Sequence, residues 1–270
     1  MSASLRGRVF LTLPHSLRRA AFAIMRPRNF RALQAQRLID TETGHSLKPY
    51  DDHQCIFFHV PKAAGISVCR TLFGNLAGGH RTLFNLQLVF SKREFDRYFK
   101  FTFVRNPWDR ALSAFRFLRR GGFNDTDRIW AEKHLSGFSD FADFVLHGLR
   151  DDEILQWIHF RPQTDYLTIP GRNRLHLDFT GYFENLPSDF AYVVERLGLQ
   201  GSVRLRHDNR STPGSRIDYR DFYSNSMRRV VEEVYQKDIE LLGYSFDNQG
   251  LADRLACRRS EPSLPIRHSD

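Results

Sequence analysis

Apolar positions in this chain follow two rhythms. Short runs of aromatic and β-branched residues, 55–60 (CIFFHV) and 101–104 (FTFV), read as buried strands. Each is followed by a turn and then by apolar positions three and four apart. Val68, Cys69, Leu72 and Phe73 follow the first run; Leu112, Phe115 and Leu118 follow the second. That spacing marks one face of a helix. Strand, tight turn and helix therefore occur twice.

The rest of the chain reads in the same terms. Leu13, Leu17, Ala21 and Ile24 lie at helical spacing, whereas residues 41–52 are polar and read as a loop. Ser91 and Glu94 have the form of a capping box opening a helix with Phe95 and Tyr98. Residues 123–160 read as further helices with Phe138, Phe141, Phe144 and Val145 apolar, 161–167 as a loop, 171–174 as a turn between short strands, and 178–184 as a strand. Pro187 opens a helix carrying Phe190, Val193, Val194 and Leu197, ended by Gly198. Asn225 or Ser226 caps a last helix with Val230, Val231, Val234, Tyr235, Ile239 and Leu242 on its apolar face, stopped by Gly243. Strands separated by helices predict an α/β fold: a mainly parallel sheet flanked by helices, with the site on the loops at the strand C-termini. The expected organisation is a basic N-terminal extension (1–50), one domain (51–248) and a flexible C-terminal tail (249–270).

The two strand–turn–helix units carry the chemistry. After the first strand comes PKAAGIS, residues 61–67. A tight turn of small residues at a helix N-terminus points several backbone N–H groups at one spot, which suits a phosphate or sulfate. Lys62 adds a point charge. The order is not that of a Walker A loop, whose lysine stands at the helix entrance. After the second strand, Asn106 fits a helix cap and Pro107 its first turn. Arg105 at the strand end and Ser113 two turns into the helix are spaced to converge on one anion.

Composition narrows the partners. A chain of 270 residues with 41% hydrophobic and 26% charged residues is an ordinary globular protein. A net charge of +9 favours anionic partners. The basic residues form no lysine–arginine run and no nucleic-acid motif, so no nucleic-acid partner is expected. Cys55, Cys69 and Cys257 form neither a disulfide framework nor a metal pattern. No apolar run reaches the length of a membrane span, and the first 25 residues make no signal peptide. A cytoplasmic, reducing setting is expected. The N-terminal helix, with Arg18, Arg19, Arg26 and Arg28 around it, reads either as a basic helix packed on the domain or as a peripheral membrane-surface helix.

The order P-K-x-x-G-x-S followed about forty residues later by F-V-R-N-P-W-D-R-x-x-S resembles the two binding segments of carbohydrate-type (family 2) sulfotransferases, bacterial members above all. The resemblance covers roughly residues 53–246, with PQTDYL, GYFENLPSDFAYVVERLGL and HDNRS also in the family's order. It implies a three-layer sandwich of the P-loop-NTPase type. It implies a donor, 3′-phosphoadenosine-5′-phosphosulfate (PAPS), and no metal. Lys62 with Ala63, Ala64, Gly65, Ile66 and Ser67 would hold the 5′-phosphosulfate, and Lys62 would support the leaving oxygen. Arg105 and Ser113 would hold the 3′-phosphate, while Arg210 and Ser211 would close over the nucleotide. His80, after Gly78 and Gly79, matches a Gly-His pair of similar members and is the candidate base, because an imidazole titrates near neutrality. His59 reads as structural. The acceptor implied is a carbohydrate or glycolipid hydroxyl. Ile66 replaces a frequent hydroxyl residue and Ala63 a frequent threonine. A P-loop-type nucleotide kinase and a non-catalytic nucleotide- or anionic-glycan-binding protein remain the alternatives.

Overall fold

A computed structural model describes residues 10–201, 203 and 218–260. The elements, in chain order, are helices α1 (His15–Met25), α2 (Pro27–Ala35) and α3 (Lys48–Asp52), strand β1 (Cys55–Phe58), helices α4 (Gly65–Phe73), α5 (Leu83–Val89) and α6 (Lys92–Arg97), and strand β2 (Phe99–Val104). Helices α7 (Pro107–Arg119), α8 (Asp125–Leu135), α9 (Asp152–Gln156) and α10 (Thr164–Leu167) follow, then strand β3 (Phe179–Tyr182) and helices α11 (Leu186–Arg196), α12 (Asn225–Val234), α13 (Gln236–Leu242) and α14 (Gln249–Ser260). The α/β class read from the sequence holds. Among the described residues no helix is long and apolar enough to cross a membrane.

The described chain forms two compact units. The first takes the residues up to Val60, Ala64–Phe103, and those from Thr164 to 203. Its sheet has the order β1-β2-β3, and β1 pairs parallel with β2, Cys55 opposite Phe99 and Phe58 opposite Thr102. Every residue of β1 is buried, as expected of a parallel strand covered on both faces. Helices α1 and α2 pack on α5. Arg37 clamps this segment down with ion pairs to Asp51 at 2.6 Å and Glu94 at 2.7 Å. The capping box forms as read: the Ser91 side chain accepts from the Glu94 amide, and the Glu94 carboxylate accepts from the Ser91 amide.

The second unit takes Pro61–Ala63, Val104–Gln163 and the described residues from 218 on. Its core sets Trp108, Leu112 and Phe115 of α7 against Phe144, Phe160, Val231 and Tyr235. Asn106 caps α7 as expected, accepting from the Trp108 and Asp109 amides. Its Nδ2 also donates to the Ser245 carbonyl (3.0 Å) and to Asn248 Oδ1 (2.7 Å).

Some local readings change. Part of the 41–52 loop is helix α3, because Leu47 and Tyr50 are fully buried among polar neighbours and Pro49 suits a first turn. Part of 161–167 is helix α10. The turn at Gly171 has no strands beside it. The cap of α12 is Ser224, which accepts from the Met227 amide. Helix α14 occupies Gln249–Ser260, where the sequence reading places a tail.

Candidate active site

The second unit brings Lys62 and Arg105 into contact and carries Ser113 on the helix that follows Arg105. Lys62 sits in the left-handed region, with φ +69°. Its ammonium lies 3.7 Å from the centre of the Phe117 ring, on the ring's negative face. Arg105 follows β2 directly. Its Nη1 donates to the Lys62 carbonyl at 3.2 Å, and its Nε and Nη2 donate to the two carboxylate oxygens of Asp109 at 2.8 Å each. The Asn106 cap starts α7 one residue after Arg105, which puts Asp109 one turn away and in bidentate reach. Gln163, fully buried, grips the Arg105 backbone from both sides: it accepts from the amide at 2.9 Å and donates to the carbonyl at 2.8 Å. Asp109, Ser113 and Phe117 stand four residues apart on one stripe of α7. Ser113 thus lies between the residue that holds Arg105 and the ring under Lys62. It is partly exposed.

Burial drives the Lys62 ammonium down to about 7; the Arg105 charge adds to this, and Asp127 opposes it. Asp127 is linked to Phe117 through His159. The His159 ring meets Phe117 edge-on at 5.0 Å, and His159 Nε2 donates to Asp127 Oδ1 at 3.1 Å. Burial alone would raise the Asp127 carboxyl, but the bonds from His159 and the Phe123 amide outweigh it and hold it below its usual range. Burial likewise lowers His159 despite its carboxylate partner. Gly122, at φ +71°, is needed here because a β-carbon would overlap the Asp127 side chain.

The first unit holds the start of α4 and both loop histidines. Ala64 precedes α4 in the left-handed region, φ +65°. Neither Lys62 nor Ala64 is a glycine, so both hold a backbone conformation that side chains rarely adopt. Gly65 is obligatory for a different reason: a β-carbon there would overlap the His59 imidazole. His59 is 5% exposed, stacks on Phe57 at 5.7 Å and lies 4.1 Å, centre to centre, from His80. It packs against Gly65, at the start of α4. His80 Nδ1 lies 3.0 Å from the His59 carbonyl oxygen. A carbonyl only accepts, so Nδ1 carries the proton and Nε2 of the neutral ring has the lone pair. His80 is partly exposed, Ser67 buried and Ile66 partly exposed.

Arg210 and Ser211 lie outside the described residues. Among those described, no three His, Cys, Asp or Glu side chains come together as a metal site. Sequence reasoning missed Asp109, Phe117, Asp127, His159 and Gln163. The spacing of four from Arg105 to Asp109 and on to Phe117 was a usable signal. Asp127 and His159 are 32 residues apart and show no pattern.

A model described as the sulfotransferase family matches residues 47–245. Among curated proteins, carbohydrate sulfotransferase 14 of Danio rerio is 27% identical over 231 residues, covering 73% of this chain and 62% of its own length. Carbohydrate sulfotransferase 11 of Mus musculus is 23% identical over 239 residues, covering 73% of this chain and 66% of its own. An uncharacterized protein of Archaeoglobus fulgidus is 33% identical over 116 residues, which are 43% of this chain and 80% of that protein. The chain spans less than two thirds of the length of these two carbohydrate sulfotransferases. No solved structure matches.

Proposed function

The chain belongs to the sulfotransferase family, and from that premise we propose that it transfers the sulfuryl group of PAPS to a hydroxyl of a carbohydrate or glycolipid. In this reaction a bond forms between the acceptor oxygen and sulfur. The bond between sulfur and the bridging phosphate oxygen breaks, and the hydroxyl proton leaves for a base. The products are a sulfate ester and adenosine 3′,5′-bisphosphate.

The second unit supplies the charge this reaction needs. Lys62 carries a cation to the phosphosulfate and neutralises the leaving phosphate oxygen as negative charge builds there. Arg105, its Nε–Nη2 edge held by Asp109, brings its charge and its remaining Nη hydrogens to the 3′-phosphate, and the Ser113 hydroxyl is a further donor. By the family resemblance, the loop amides through Ser67 are further donors to the phosphosulfate and His80 is the base. His80 Nε2 accepts the acceptor's proton while Nδ1 stays bonded to the His59 carbonyl, which holds the ring in the tautomer a base requires.

The observation that carries the reading is the contact of Arg105 with the Lys62 backbone, with Ser113 on the helix stripe of Asp109, which holds Arg105. It puts two cationic residues side by side in one unit, which supports a donor bearing two phosphate groups. The names of the relatives support a carbohydrate acceptor. The test is transfer of label from radiolabelled PAPS to a panel of glycans and glycolipids. Lys62→Ala and Arg105→Ala should abolish transfer that the wild type performs. Equal transfer by the variants would refute the assignment.

A further inference from the structure

The basic charge of the chain is concentrated, not spread. Its first 39 residues hold eight arginines and no lysine, aspartate or glutamate, so this stretch carries nearly all of the net +9. Packing consumes part of it. Arg18 is buried and bonds Gln87, Arg19 donates to the Val89 carbonyl, and Arg37 bonds Asp51 and Glu94. Arg26, Arg28 and Arg31, around the corner between α1 and α2, are exposed.

The same corner exposes apolar side chains. Ile24 is 80% exposed, Met25 59% and Leu17 58%. Leu17, Ala20 and Ile24 are three and four residues apart, so they form a stripe along the solvent side of α1 that ends at the arginines. A shallow groove beside it is lined by Phe22, Arg28, Asn29, Ala32 and Leu33. A single exposed leucine needs no explanation, but an apolar stripe bordered by cations does.

Charge complementarity selects the occupant. A second copy of this face would bring three more arginines against the first three. A soluble polyanion would pair with the arginines and leave Ile24 and Met25 in water. An anionic bilayer satisfies both, with headgroups for the guanidinium groups and an acyl boundary for the apolar tip. We propose that the corner between α1 and α2 is a docking surface for an anionic lipid membrane. Ile24 and Met25 enter the interface, and Arg26, Arg28 and Arg31 meet the headgroups. This inference is independent of the sulfuryl-transfer reading; if both hold, the enzyme works at a surface where glycolipid acceptors are displayed.

The test is co-flotation of the full chain with vesicles of phosphatidylcholine alone or mixed with phosphatidylglycerol. Binding is expected to the mixed vesicles only, and to weaken with added salt. Arg26→Gln/Arg28→Gln/Arg31→Gln should lower partitioning roughly a hundredfold, about fivefold per arginine. Ile24→Ser/Met25→Ser, which leaves the charge untouched, should lower it by about tenfold or more. Circular dichroism should match wild type for both variants, since all five side chains are exposed. Absence of binding to the mixed vesicles, or equal binding to neutral ones, would overturn the proposal. So would unchanged binding of the Ile24→Ser/Met25→Ser variant, since the proposal puts both side chains in the interface.

Discussion

With Lys62 in the proposed donor site, donor binding should be a proton-linked event. In the free protein its ammonium titrates at about 7, against 10.5 for an ordinary lysine, because burial and Arg105 both disfavour the charge. A phosphate group in contact would supply the counter-charge that the site lacks and draw the titration back up. If only the charged form binds, the fraction competent is about one half at pH 7 and about one tenth at pH 8. The affinity for adenosine 3′,5′-bisphosphate should then fall about fivefold from pH 7 to 8 and nearly tenfold per unit beyond that. Phosphate groups are close to fully ionised above pH 7, so the ligand contributes little to this slope. Near pH 8 each binding event should take up almost one proton. Calorimetry in two buffers of different ionisation enthalpy reads that uptake directly. Lys62→Arg keeps its charge throughout the range and should give a flat profile. A wild-type affinity independent of pH, with no buffer dependence of the binding heat, would refute the reasoning.

The same shift has a stability consequence: the unfolded chain binds one more proton than the folded one between about pH 7 and 10.5, so stability should rise with pH across that window. Lys62→Met should flatten the rise and raise the urea midpoint at pH 6. Asp127→Asn removes the carboxylate that opposes the burial of Lys62, so the pH profile of nucleotide binding should move to lower pH in that variant. His80→Ala should lower turnover by roughly 10²–10⁴-fold at nearly unchanged donor affinity, measured by single-turnover transfer and equilibrium binding. Gly65→Ala should destabilise the fold by about 1–3 kcal/mol through its clash with His59. His59→Ala in the same chain should recover part of that loss in urea titrations; strict additivity of the two would contradict the clash.

Much of this architecture is legible in the pattern of residues, for identifiable reasons. The strands at 55 and 101 announce themselves as short aromatic and β-branched runs. The caps at Ser91 and Asn106 announce themselves because a side-chain oxygen three or two residues before an orphan amide is a local device. Helix α3 does not: its buried Tyr50 and the buried Leu47 before it are surrounded by polar residues, and tertiary burial decides. Lys62 and Arg105 are legible because each follows a short apolar strand run. His80 stands out only through its resemblance to a Gly-His pair; its tautomer comes from a carbonyl 21 residues away in sequence. The ring beneath Lys62 and the His159–Asp127 pair linked to it depend on how α7, α8 and the residues around 159 pack, and no spacing encodes that.

The central claim is that Lys62 and Arg105 form a cradle for a nucleotide bearing a 3′-phosphate. Titration calorimetry with adenosine 3′,5′-bisphosphate in EDTA, beside ATP with Mg²⁺, tests it most directly. The account predicts binding of the bisphosphate in EDTA, weakened at least tenfold in Arg105→Ala and in Lys62→Ala at pH 7, since each removes a charge-assisted contact. Preferential binding of ATP with Mg²⁺, or a bisphosphate affinity that both variants leave intact, would contradict it.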